Sequence, residues 1–417
     1  MGGMFGQLEK LPKNSRITIL LEPYSSVISG ILLFYAALYM QGNGLPAKQI
    51  GLISTIGAVT GLMLQFTAAP ITNRLGRRST LLLFSLVCWS IPLLLWAIAG
   101  SFAVFLAAAV FFSFSKITGV AWYCVVTEDV DNDKKAGIFG ILAMIGSIGG
   151  AAAVFMGPVI DKFGLVPSMR FLYIFAFVSM TLMFVARHLL LTETRAGATL
   201  SNLHDKLTIF QSFRQCWQAA ILSMKDAEFL RLIIVFVLFN FAINMGFVQI
   251  LFVNNVLKLT MTEISMIPAV GTIVSIVMFR YLVPRLGVRN EKETLSIALV
   301  VFAAGMLMLL VIPVKNLWLT LLASALIAAG TYLFQVCVNA AMNNRMGLLH
   351  KASAYSAVQM LVAFAIIPAG YVAGKAFDLN PRFPILVIGL IAAVAAGLAL
   401  RPLKRNVPRE ELACTWN

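Results

Sequence analysis

Arg74-Leu75-Gly76-Arg77-Arg78 recurs 211 residues later as Arg285-Leu286-Gly287-Val288-Arg289. Upstream and without a gap, Ile53-Ser54-Thr55-Ile56-Gly57-Ala58-Val59 falls on Ile264-Ser265-Met266-Ile267-Pro268-Ala269-Val270. Nine of the 26 positions from 53 to 78 agree. Apolar sequence of low complexity gives some agreement through composition alone. A matched Arg-Leu-Gly-x-Arg loop does not arise that way, so the chain reads as two copies of one unit.

The unit is a membrane unit. Hydrophobic residues make up 60% of the 417 and charged residues only 12%, with a mean hydropathy of +0.90. Soluble domains carry about 25% charged residues, so a soluble enzyme or nucleic-acid binder is excluded, and the +15 net charge is read as basic aqueous loops. Apolar runs fall at 17–40, 50–71, 79–99, 101–126, 137–158 and 168–191, then at 231–253, 263–283, 294–312, 317–341, 353–373 and 383–400. They are too long for barrel strands of about ten residues, so they are helices with every backbone group satisfied internally. With both termini on one side, that side holds 24 Lys and Arg against seven on the other. The positive-inside rule then places both termini in the cytoplasm. The organisation expected is a six-helix bundle over 1–192, a cytoplasmic linker over 193–230, and a second bundle with its tail over 231–417. Within the linker, Leu203, Leu207, Phe210, Phe213, Trp217, Ile221 and Met224 recur at helical spacing, which suits an amphipathic surface helix. The five cysteines and three histidines have no disulfide or metal spacing, and no metal or other cofactor is expected.

Six plus six spans of like orientation make a parallel repeat with its axis along the membrane normal. Together with the loop Ala69-Pro70-Ile71-Thr72-Asn73-Arg74-Leu75-Gly76-Arg77-Arg78, this resembles the major facilitator superfamily, whose loop between spans two and three reads G-x-L-x-D-R-x-G-R-R/K. Arg74, Gly76, Arg77 and Arg78 match, while Ala69 and Asn73 replace the glycine and aspartate. The resemblance implies an all-α fold of twelve transmembrane helices in two pseudo-symmetric bundles that rock about a central site. It also implies a gating latch at this loop. Asn73 removes the latch's charge, and Glu128 and Asp129, at the end of span four, are candidate partners for the arginines. Arg285 and Arg345 are the gating candidates of the second half.

Ionisable residues inside lipid are costly and rarely idle. Two lie deep in the spans, Glu22 in span one and Lys116 in span four. Glu22 is the candidate proton carrier, and Lys116 is its expected conditional partner; a static ion pair, or no contact, are the alternatives. Neutral polar residues also gather on few helices. Span one has Ser25, Ser26 and Ser29, span seven Asn240 and Asn244, and span ten Tyr332, Gln335, Asn339 and Asn343. Of these, Ser26, Ser29, Asn240, Asn244, Tyr332, Gln335, Asn339 and Asn343 are the substrate-binding candidates, with helix–helix hydrogen bonding as the alternative role. In the superfamily, spans one, four, seven and ten line the central cavity. Gly146, Gly149, Gly150 and Gly157 suit close helix packing.

The function expected is secondary active transport of a small organic solute across a prokaryotic inner membrane by a monomer. Protons are the expected coupling ion, because a single carboxylate serves them. Lys116-Ile117-Thr118-Gly119 and Gly157-Pro158 bear a partial likeness to antiporter motifs R-x-x-Q-G and G-P-x-x-G-G, so efflux of an amphiphilic or cationic compound is the leading expectation. Proton-coupled uptake of a polar nutrient and flipping of a lipid-linked sugar are the alternatives. The acidic run Glu128–Asp133 is the one cluster that could seat enzyme chemistry, and it reads as a short solvated loop.

Overall fold

The computed structural model describes residues 11–202, 227–282, 291–345 and 351–400. Among these, eleven helices are long and apolar enough to cross a membrane, and a shorter apolar helix of 17 residues completes a set of twelve. The first bundle comprises α1 (Lys13–Gly42), α2 (Ala47–Leu75), α3 (Arg77–Ile98), α4 (Phe102–Thr127), α5 (Gly137–Phe163) and α6 (Leu165–Leu190). The second comprises α7 (Ala227–Asn255), α8 (Met261–Val277), α9 (Lys292–Leu309), α10 (Leu317–Met342), α11 (Val358–Leu379) and α12 (Arg382–Leu400). Large apolar side chains such as Phe155, Phe171, Leu182 and Trp318 face outward, where lipid rather than water is their solvent. A short helix, Arg195–Asn202, opens the expected linker; the amphipathic stretch from Leu203 to Met224 and the gate residue Arg285 lie outside the described residues.

Local chemistry sets the breaks. Gly76 (φ 79°) separates α2 from α3, and Gly164 (φ 85°) separates α5 from α6. Both adopt the left-handed region where a Cβ is strained. A π turn at Leu86–Ser90 interrupts α3 just before Pro92, whose ring cannot donate to the ladder and crowds the preceding turn.

Small residues let the helices meet. A Cβ on Gly149 would fall 2.5 Å from the Ser26 carbonyl carbon, which fixes the α1–α5 crossing, and one on Gly330 would fall 2.5 Å from the Phe302 nitrogen at the α9–α10 crossing. Between the bundles, Gly51 of α2 abuts the Gly370 backbone of α11, and Gly157 of α5 abuts Ser265 and Met261 of α8. Gly149 and Gly157 therefore pack closely, as the sequence suggests. Gly146 does not: an added Cβ there meets nothing within 4 Å. At Gly150 an added Cβ is likewise free, but its backbone nitrogen lies 3.0 Å from where a Cβ on Gly30 of α1 would sit.

Twelve spans put the start of α1 and the end of α12 on one face, here the N-terminal face. Two carboxylates join the bundles at the opposite face. Asp161, at the end of α5, accepts from the Met261 and Thr262 backbone N–H groups at 2.9 and 2.8 Å and from the Thr262 hydroxyl at 2.6 Å. Asp378, at the end of α11, accepts from the Ala47 and Lys48 N–H groups at 3.1 and 2.9 Å. Each carboxylate caps the first turn of a helix in the other bundle, where N–H groups lack intrahelical partners and the helix dipole is positive. The repeat exchanges α2 with α8 and α5 with α11, so this is one contact made twice.

Candidate functional site

A cavity of about 260 Å³ lies inside the first bundle, between α1, α3, α4 and α6. α1 presents Glu22, Ser25 and Ser29 to it. α4 presents Ser115, Thr118, Gly119 and Trp122, one helical face. α3 contributes Ser85 and Trp89, at and just before the π turn, and α6 contributes Met180, Phe184 and Arg187 at helical spacing. The walls are thus mixed: hydroxyls and two indoles around one acid and one base.

Glu22 is half-buried, and its Oε2 accepts from the Trp122 indole N–H at 3.2 Å. Arg187 is only 5% exposed. Its Nη2 donates to Ser85 Oγ at 3.3 Å, and its guanidinium sits 5.4 Å from the centre of the Phe184 ring, within cation–π range. Arg187 is the residue the sequence reading passes over. It lies four residues before the end of the sixth apolar run, where a basic residue reads as an orientation signal. Its register with Met180 and Phe184 is the available clue.

The expected pairing of Glu22 with Lys116 is not formed. Lys116 is exposed, does not line the cavity, and its stem runs beside Gly61 of α2, with Cε 3.4 Å from where a Gly61 Cβ would sit. The physical reason is the rotation of α4, which turns Ser115, Thr118 and Trp122 toward Glu22 and the intervening Lys116 toward α2. Ser29 lines the cavity, but Ser26 does not; its backbone lies under Gly149 at the α1–α5 crossing. Ser25 takes the place expected of Ser26, and its hydroxyl donates to the Glu22 carbonyl at 3.0 Å.

The second-bundle candidates lie apart from this cavity. The side-chain amides of Asn240 and Asn244 donate back to the carbonyls of Phe236 and Asn240, each at 2.8 Å. On α10, Tyr332 and Gln335 are half-buried and Asn339 is exposed. Asn343 and Arg345 continue that helix, but their side chains lie outside what is described.

At the N-terminal face a second polar cluster forms around the repeated loop. Arg77, 3% exposed, pairs with Glu128 through Nη2 at 2.9 Å and Nε at 3.1 Å. The Thr194 hydroxyl donates to the other Glu128 oxygen at 2.5 Å. Burial alone would push the Glu128 carboxyl up; the hydrogen bonds from Arg77 and Thr194 outweigh it and hold the group below its ordinary range. Glu193, not among the residues expected from sequence, caps the start of α3 by accepting from the Arg77 and Arg78 N–H groups at 2.8 and 3.1 Å. Arg78 Nε donates to the His188 carbonyl at 2.9 Å. Asp129 accepts from the Arg195 N–H at 3.4 Å, so it meets the following segment and not the loop arginines. Asn73 and Arg74 are exposed. The cluster ties the ends of α2, α3, α4 and α6 to the segment that leaves the first bundle.

The sequence matches the family model of the Major Facilitator Superfamily over residues 24–369. The chain belongs to that superfamily, and it is a transporter and not an enzyme. Among solved structures it is similar to the nucleoside transporter NupG (15% identity, 93% of this chain and 98% of that one, TM-score 0.68). It is also similar to a POT peptide transporter (16% identity, 95% of each chain, TM-score 0.69). A third likeness is to the human organic anion transporter TETRAN (14% identity, 93% of this chain and 100% of that one, TM-score 0.59). At these identities the likeness is one of fold. No curated protein matches the sequence.

Proposed function

We propose that this chain is a proton-coupled carrier of a small organic solute, with Glu22 as the proton site. The observation that supports it most is a carboxyl set inside the bundle and facing a polar cavity on the two helices, α1 and α4, that carry the first half's polar stripes. A carboxyl placed there changes the charge of the cavity when it loads or releases a proton, and alternating access can then couple that charge to solute. The N-terminal face is the cytoplasmic one on the 24-to-7 distribution of Lys and Arg. The cavity also holds a buried cation, Arg187, so its one acid does not by itself select a cationic solute.

Proteoliposome flux under an imposed pH gradient tests this reading. A panel of nucleosides, dipeptides, organic acids and amphiphilic cations is compared between native protein and Glu22→Gln. Gradient-driven flux of the transported member is expected to fall at least tenfold in Glu22→Gln while solute–solute exchange survives, and Lys116→Ala is expected to leave driven flux within twofold. Driven flux undiminished in Glu22→Gln removes the carboxyl from coupling.

A further inference from the structure

Arg187 is a buried cation with little to hold. A guanidinium has five N–H donors. Of these, one is used in a described hydrogen bond, to Ser85, and no ion pair joins Arg187 to Glu22 or to any other carboxylate among the described residues. Its head faces the 260 Å³ cavity, with the Phe184 ring beneath it and the indoles of Trp89 and Trp122 on the adjoining walls. A forked cation inside apolar and aromatic walls matches a carboxylate carried on an apolar body. We propose that this cavity is an organic-anion site: Arg187 receives the carboxylate of the solute, the aromatic walls receive its hydrocarbon part, and the anion enters together with a proton on Glu22. The proposal rests on the reading of Glu22 given above and adds to it the class of solute.

The coupling follows from the charges in the cavity. Ionised Glu22 offsets Arg187 and repels an incoming carboxylate. Protonated Glu22 leaves Arg187 as the net charge and admits it. Anion and proton therefore favour each other's binding, and by linkage each shifts the other's affinity equally. The titratable groups that face Glu22 are few. α6 brings Arg187; the buried Cys88 thiol of α3 does not line the cavity and lies 3.4 Å from the Thr118 hydroxyl of its wall. α4 turns neutral groups inward and keeps Lys116 beside α2, with Glu128 engaged by Arg77 at the helix end. At the α5 crossing α1 meets Gly149.

Calorimetric titration of the purified full-length protein with benzoate and with butyrate, from pH 5 to 8, tests the proposal; benzylamine is the cationic comparison. Saturable carboxylate binding is expected, with the apparent Kd rising about tenfold per pH unit once Glu22 ionises. Glu22→Gln should keep the low-pH affinity and flatten the pH dependence. Arg187→Gln should weaken binding at least tenfold at every pH, with Arg187→Lys intermediate; thermal unfolding of each variant checks that it is folded. Binding of neither carboxylate, preference for benzylamine, or loss of carboxylate binding in Glu22→Gln overturns the anion site, and the last of these holds even where Arg187→Gln does not fold. The two readings fail separately. Arg187-dependent anion binding with driven flux insensitive to Glu22→Gln defeats proton coupling alone. Glu22-dependent flux without carboxylate binding defeats the anion site alone.

Discussion

Removing the charge at both opposite-face clamps should open that face. Asp161 holds two backbone N–H groups and a hydroxyl of α8, and Asp378 holds two backbone N–H groups of α2. Both contacts cross from one bundle to the other, so they count only toward the state in which this face is closed. Loss of an N-terminal capping side chain costs about 0.5–2 kcal/mol, typically about 1. The clamps share no partner residue, so their effects should add. Asp161→Ala with Asp378→Ala should then shift the balance between closed and open by about 2 kcal/mol, roughly 30-fold in population. The substitutions to Asn keep an acceptor and lose the charge–dipole part, about 0.3–1 kcal/mol each. Spin labels at Gly100→Cys and Arg382→Cys, in a background free of the five native cysteines, report the separation of the two bundles by pulsed dipolar spectroscopy. Both sites are exposed, and an added Cβ at Gly100 meets nothing within 4 Å. The double Ala variant should populate longer distances, with each single variant between it and native. A distance distribution identical in native and double variant refutes the claim that these carboxylates hold the face shut.

The Arg77–Glu128 pair makes a pH-dependent contribution to stability. Because the folded Glu128 carboxyl titrates below its ordinary range, the contribution is present above that range and is lost as pH falls through the lowered folded value. Glu128→Gln leaves the buried Arg77 uncompensated and should cost about 3 kcal/mol near neutral pH; the gap in unfolding temperature from native should narrow in acid, and a gap constant down to pH 3 counts against the pair. Gly149→Ala drives a Cβ into the Ser26 backbone and should cost about 1–3 kcal/mol, whereas Gly146→Ala, in open space, should stay within about 0.5 kcal/mol. Equal unfolding temperatures for these two variants would contradict the crossing described for α1 and α5.

The architecture was legible because lipid leaves few choices. Length and hydropathy are sums over many residues, and a repeated Arg-Leu-Gly-x-Arg loop carries the two-unit organisation. The partners of individual side chains were legible only where local chemistry fixes them, as for Glu128 beside the loop arginines. Helix rotation is set by packing, and that separates Lys116 from Arg187. Both are basic residues near Glu22 in depth, but α4 turns Lys116 to α2 and α6 turns Arg187 inward. Hydropathy treats the two alike, and proximity to the end of a run made Arg187 read as an orientation signal. The clamps were hidden for another reason. Under the 211-residue shift that reveals the repeat, Asp161 falls on Val372, six residues from Asp378. The halves have drifted in register along α5 and α11 while keeping a carboxylate at the helix end. What is repeated there is a position in space facing an uncapped helix start, and a gapless comparison of letters cannot register it.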